Sequence, residues 1–130
     1  MSDLKELSFA KVATVTGIDA KSVATTELYV VPAGKTFMPI MVVIRVTAFT
    51  SGGKTVQAIA SFGGNAATYD DFLNSVTYTV ANVDYFQMDR PADATAVPVQ
   101  AAADSFRLSI ETGSNATTET WAVDVFGYLI

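Results

Sequence analysis

The stretch Ser105-Phe106-Arg107-Leu108-Ser109-Ile110-Glu111 decides the fold class of this chain. Phe106, Leu108 and Ile110 project one way and Arg107, Ser109 and Glu111 the other. That two-residue period belongs to a strand with one face on a core and one toward water. The pattern recurs upstream: Val76, Tyr78 and Val80 alternate with Thr77 and Thr79. Val56, Ala58, Ala60 and Phe62 alternate with Gln57 and Ser61, and only Ile59 spoils the polar side. No stretch long enough for an ordinary helix carries the helical period.

Two segments depart from the pattern because both of their faces are apolar. In Met38 to Phe49, one face reads Met38, Ile40, Val42, Ile44 and Val46. The other reads Met41, Val43 and Phe49, with Arg45 and Thr47 between. In Trp121 to Ile130, Trp121, Val123, Val125 and Leu129 share one face, and Phe126, Tyr128 and Ile130 share the other with Asp124. A strand that is apolar on both sides needs a cover on its second side. Another subunit supplies such a cover, and so do loops or an N-terminal arm; the sequence leaves these open.

Turn residues punctuate the strands. Gly17-Ile18-Asp19 is expected to end a first strand running from about Phe9 to Thr16. Pro32-Ala33-Gly34-Lys35 joins a strand at Glu27 to Val31 to the doubly apolar one. Ser51-Gly52-Gly53-Lys54 reads as a tight hairpin turn, and Gly113-Ser114-Asn115 as the hairpin joining the last two strands. Gly63-Gly64-Asn65 ends the strand before it. Thr68 to Ser75 is expected to form one helical turn, with Thr68 as its cap and Asp70 and Asp71 in its first turn. Pro91 and Pro98 bracket an irregular, Ala-rich edge.

About eight short antiparallel strands in one domain-sized chain fit an all-β sandwich, jelly-roll-like in arrangement. An immunoglobulin-like sandwich is the nearest rival, but Trp121 lies in the last strand with no cysteines around it. The chain of 130 residues is read as a single sandwich domain over residues 9–130, preceded by an N-terminal arm over residues 1–8. That arm alternates charge with Leu4 and Leu7 and has no strand partner of its own.

Composition removes most chemistry. The chain holds no cysteine and no histidine. Disulfides, thiolate metal sites, the usual nucleophile triads and the commonest general base are therefore absent. A net charge of −5 offers no basic patch for phosphates, so nucleic acid is not an expected partner. Met1 to Glu6 lacks a secretory pattern and the longest apolar run, Phe37 to Ile44, is too short to span a bilayer, so a cytoplasmic, membrane-free product is expected. Charged residues make up only 16% of the chain, against a quarter in an average soluble domain, and that neutral surface suits burial against neighbouring subunits in an assembly. A plain sandwich with a Thr-rich exterior satisfies the same numbers.

Three candidate surfaces remain. Asp70, Asp71, Asp84, Asp89 and Asp93 crowd the middle of the chain; paired carboxylates serve glycoside hydrolysis or calcium, but no spacing signature marks either use, and loop solvation accounts for them. No metal, cofactor or catalytic residue is expected. Tyr69, Tyr85 and Phe86, with Asp70 and Asp71, form a candidate ligand-facing loop that could stack on sugars. Leu4, Leu7, Met41, Val43, Phe49, Phe126, Tyr128 and Ile130 are the candidate subunit or capsid contacts, because they are the apolar residues with no assigned core.

Two segments resemble a known group. Leu28-Tyr29-Val30-Val31-Pro32-Ala33-Gly34-Lys35-Thr36-Phe37 is similar to a strand and turn of bacteriophage virion proteins, in which such a turn precedes a strongly apolar strand. Ser61-Phe62-Gly63-Gly64-Asn65-Ala66-Ala67-Thr68-Tyr69-Asp70 resembles segments of small phage structural proteins. The resemblance covers residues 27–75. It implies a non-enzymatic capsid decoration or cement protein, jelly-roll or sandwich in fold, often trimeric, clamping the lattice between capsomers. Its partners would be copies of itself and the major capsid protein or other virion proteins, and its location the virion, after synthesis in the host cytoplasm. The alternative is a carbohydrate- or receptor-binding sandwich module, placed for example on a phage tail or fibre.

Overall fold

The computed structural model describes residues 9–64, 68–79, 82–88 and 104–130. Leu4, Leu7, Val80, Asp89, Pro91, Asp93 and Pro98 lie outside the described residues. Eight strands follow in order: β1 (Ala10–Asp19), β2 (Ala24–Val30), β3 (Phe37–Thr50), β4 (Ala58–Gly63), β5 (Leu73–Tyr78), β6 (Val83–Gln87), β7 (Ser105–Thr112) and β8 (Thr118–Leu129). They form two antiparallel four-stranded sheets of order β1-β8-β3-β6 and β2-β7-β4-β5. The pairings nest: β1 with β8, β2 with β7, β3 with β6, and β4 with β5. That is the connectivity of a chain folded on itself and rolled into two layers, the jelly-roll-like sandwich expected from the sequence. The β8–β3 and β7–β4 ladders close each sheet through its centre.

The core lies between the sheets and is built on aromatic rings. Phe106 packs against Phe37, Phe62 and Phe72 with ring centroids 6.1, 6.3 and 5.9 Å away, and Tyr78 lies 4.9 Å from Trp121. Phe106, Leu108 and Ile110 all face inward, as their alternation requires. Full burial of each such side chain stabilises the fold by roughly 1.5–3 kcal/mol.

Several local expectations are corrected. The first strand does not stop at Gly17; it runs on to Asp19, and the glycine sits inside it with φ of 70°. The ladder with β8 shifts register between Val15 and Ile18, so Gly17 supplies a bulge rather than a terminus. Neither glycine-rich turn makes a hairpin. Residues 51–57 carry the chain from β3 in one sheet to β4 in the other, and residues 113–117 carry it from β7 back to β8. The expected helical turn at 68–75 is absent. Tyr69 and Ser75 have φ of 49° and 54°, a left-handed backbone that a right-handed helical turn cannot contain. Phe72 instead plugs into the core, and β5 starts at Leu73.

The faces of β3 also differ from strict alternation. The ladder with β8 shifts between Pro39 and Met41, and again between Val46 and Ala48. Each extra residue flips the parity of everything beyond it. Phe37 and Pro39, not Met38 and Ile40, therefore share the core face with Val42 and Ile44. Beyond the second shift Phe49 pairs with Glu119 and leaves the face of Met41 and Val43. Gly127 stands opposite Pro39 because a Cβ there would strike the Met38 carbonyl and the Phe37 ring.

One end of the sandwich is fastened by a buried carboxylate. Glu119, 1% exposed, accepts from Lys54 Nζ at 2.7 Å, Ser114 Oγ at 2.8 Å and Trp121 Nε1 at 2.9 Å. These donors come from the β3–β4 connection, the β7–β8 connection and β8 itself. Asn115 adds a second tie, since its Oδ1 accepts from the backbone N–H groups of Thr55 and Val56 at 2.9 Å each. Lys54→Ala strands a buried charge and is expected to lower the unfolding free energy by about 3–5 kcal/mol. Lys54→Met combined with Glu119→Leu should recover part of that loss. Urea unfolding followed by the fluorescence of the single tryptophan, Trp121, measures both.

Candidate functional site: an apolar outer sheet face

The two outer faces of the sandwich differ in chemistry. On the β2-β7-β4-β5 sheet, Thr25, Glu27, Ser105, Arg107, Ser109, Ser61 and Thr77 face out, with Val30 and Ile59 as apolar members. Their polar groups are joined to one another. Arg107 pairs with Glu27 at 3.3 Å, and Glu111 accepts from Ser61 at 2.7 Å and Ser75 at 2.6 Å. This is a solvated face.

The outer face of the β1-β8-β3-β6 sheet is built from rows of cross-strand partners, which share a face. One row runs Lys11, Phe126, Met41, Gln87. The next runs Thr14, Asp124, Val43, Tyr85. A third runs Ala122, Arg45, Val83. At one end Met38 partners Tyr128. Phe9 covers that end, stacked on Phe126 at 5.8 Å and edge-on to Tyr128 at 5.7 Å. Tyr85 is 62% exposed and Val83 53%. The result is a face on which the apolar side chains of Phe9, Met38, Met41, Val43, Val83, Tyr85, Phe126 and Tyr128 surround a few polar groups, richer in apolar residues than the opposite one. Clustered exposed apolar residues are a feature of interaction sites.

A charged cluster sits inside the patch. Arg45 grips Asp124 with two bonds, Nε to Oδ2 at 2.9 Å and Nη2 to Oδ1 at 3.1 Å. Thr14 Oγ1 donates to Oδ1 at 2.8 Å. Burial alone would raise the Asp124 carboxyl, but the bonds from Arg45 and Thr14, helped by the charges of Arg45 and Lys11, hold it below its ordinary 3.8. The same bond, with the carboxylate's charge, raises the Arg45 guanidinium.

The structure gathers some of the candidate residues and separates others. Met41, Val43, Phe126 and Tyr128 lie together on this face, and β6 brings Tyr85 to it. Phe49 lies apart, under the Lys54 ammonium at 5.3 Å. Ile130 closes a backbone pair with Thr36 at 2.8 and 2.9 Å, near the sheet end. The candidate ligand-facing loop is not one place. Tyr69, Asp70 and Asp71 sit in the β4–β5 connection, where Arg107 lies 5.5 Å from the Tyr69 ring and Asp71 Oδ1 accepts from Gly64 N–H at 2.8 Å. Tyr85 and Phe86 belong to β6 in the other sheet, and Phe86 turns inward to Tyr78 at 6.2 Å. Among the described residues no group of three or more acidic side chains could hold a metal ion.

Phe9, Lys11, Met38 and Val83 are members of the face that strand patterning alone did not single out. The alternation Val83, Tyr85, Gln87 was the available signal for β6. Met38 was hidden by the bulge at Ile40.

No protein-family model and no curated protein matches this sequence. Solved structures do. The fold is similar to that of a chain in the acidic stable capsid structure of Helicobacter pylori bacteriophage KHP30, with TM-score 0.54, 10% identity and 95% of each chain covered. It is also similar to a chain of the cyanophage Pam1 capsid asymmetric unit, with TM-score 0.56, 11% identity, and 95% of this chain and 85% of that one covered. At such identities the common property is the fold.

Because the Asp124 carboxyl is depressed, the pair stabilises the fold fully above 3.8 and loses that contribution as pH falls through the lower folded-state value. Asp124→Asn should cost about 1.5–3 kcal/mol at neutral pH, the range for hydrogen bonds to a charged group. The gap between variant and parent should close as the medium is acidified below 3.8. Denaturant midpoints measured across that range check it; a gap constant into strong acid contradicts it.

Proposed function

We propose that this protein is a non-enzymatic capsid decoration or cement protein of a bacteriophage. The apolar-rich outer face of the β1-β8-β3-β6 sheet, opposite a face dominated by Thr, Ser and paired charges, carries the proposal. It is a surface made for protein contact, and it holds no grouping of side chains suited to bond-breaking chemistry. The whole-chain likeness to chains in two phage capsid structures supports the same reading.

The mechanism is mass action. A protein that binds the assembled shell and not its loosened state stabilises the shell by the free energy of that binding. A homotrimer fits between capsomers and multiplies weak single contacts into firm attachment. The domain of residues 9–130 supplies the contact face, through Met41, Val43, Phe126 and Tyr128. The arm of residues 1–8 extends the contact through Leu4 and Leu7, while Phe49 and Ile130 lie at the margins. The protein is made in the host cytoplasm and is carried in the virion with the major capsid protein.

Light scattering on the purified protein should return the mass of three chains. Deleting residues 1–8 should leave the unfolding midpoint unchanged and abolish binding to phage particles stripped of the protein. Full occupancy of the particles by the shortened chain, read by quantitative gel analysis, refutes the proposal.

A further inference from the structure

We infer that Lys54 and Glu119 are the two halves of an intramolecular isopeptide bond: the lysine amine and the glutamate carboxyl condense inside the folded domain and release one water. The ion pair described above is the state before that reaction. The inference stands whatever partner the protein binds.

Placement supplies the first ground. Three ion pairs occur among the described residues, and in two of them the cation is an arginine. A guanidinium does not give up its proton in a protein and is no nucleophile. Lys54 is the one of the three with an amine to offer. Its Nζ lies 2.7 Å from Glu119 Oε1, with the two side chains only 8% and 1% exposed. The carboxyl carbon is one bond beyond that oxygen, at about the 3–3.5 Å of a near-attack arrangement. The flexible four-carbon stem of lysine lets the nitrogen rise out of the carboxyl plane. The two residues are 65 apart in sequence, so the fold alone brings them together. Holding reactants in this way turns a bimolecular step into a unimolecular one. Burial, with the Phe49 ring 5.3 Å from Nζ, keeps bulk water from the pair.

The donors on the carboxyl supply the second ground. Its two oxygens are held by different groups, a division that an ion pair does not need. Trp121 Nε1 donates to Oε2 at 2.9 Å, while Ser114 Oγ shares Oε1 with Nζ at 2.8 Å. When Nζ attacks the carbon, negative charge gathers on the oxygen that stays. That oxygen is Oε2, and the indole N–H stabilises it. Oε1 is the oxygen that leaves. The ammonium starts with three protons. One passes directly to Oε1, and the freed electron pair forms the N–C bond. A second reaches Oε1 through Ser114, whose hydroxyl gives its proton to Oε1 and takes one from Nζ. The C–Oε1 bond breaks, water departs and the third proton stays on the amide nitrogen. No oxidant, cofactor or other reactant enters. The product is a neutral amide where two charges were buried, which removes their desolvation cost.

Mass spectrometry of the full chain tests the inference. Protein kept folded at neutral pH should lose one water in most molecules, and fragmentation of its peptides should show Lys54 and Glu119 joined through an amide. Lys54→Arg keeps the cation and cannot condense. That variant, its folding checked by Trp121 fluorescence, should keep the full mass of its sequence. On a denaturing gel the parent should run ahead of it, because a closed loop makes the unfolded chain more compact. A folded parent that retains its full sequence mass overturns the inference, and so does a water loss that maps to other residues or persists in Lys54→Arg.

Discussion

The buried carboxylate of Glu119 is the constraint on which the sandwich depends. It occupies the last strand at the point where the β3–β4 and β7–β8 connections converge, and it takes one donor from each of them and one from Trp121. Two sheets joined by long connections have no hairpin to set their relative register at this end. A carboxylate with three donors sets it, because sliding β8 by one residue would expose the donors and bury a charge without partners. Once Glu119 is placed, Trp121, Val123 and Val125 must face the core, and Ala122, Asp124 and Phe126 must face out. The apolar outer face is thus a consequence of the same register that fills the core.

The alternating strands were legible from sequence because their burial is one-sided. Phe106, Leu108 and Ile110 needed only a period of two. The doubly apolar strands were legible as unusual, and β3 and β8 are the central strands of one sheet. The bulges were not legible. Ile40 and Thr47 are ordinary strand residues, and nothing in their chemistry announces an extra residue in a ladder whose partner is distant in sequence. Each one inverted the expected face of its neighbours, which is why Met38 and Phe49 changed sides. Gly52-Gly53 and Gly113 identified real turns, but a turn signal is local. Whether the strands that it joins pair with one another depends on Lys54 and Ser114 finding Glu119, a contact between remote parts of the chain. At Gly17 the left-handed conformation was foreseeable, and its use as a bulge was not.

The candidate contact residues fared according to the same distinction. Met41, Val43, Phe126 and Tyr128 share a face because no bulge falls between Met41 and Val43 in β3 or between Phe126 and Tyr128 in β8. Tyr85 joined them through β6, although its sequence neighbourhood suggested a loop. The pairing of Tyr69 with Tyr85 rested on closeness along the chain, and the rolled topology puts them in different sheets. The unequal outer faces then give the molecule a direction. One side, laced with Ser, Thr and paired charges, is suited to water. The other carries aromatic and Met side chains around an ion pair, and is suited to a neighbour.

Hydroxyl-radical footprinting of the protein, free and bound to phage particles, tests this polarity most directly. The account predicts that Tyr85, Met41 and Phe126 lose reactivity on binding while Tyr69, Val30 and Ile59 keep theirs. Equal labelling of Tyr85 and Met41 in both states, or protection confined to the Tyr69 side, would contradict it.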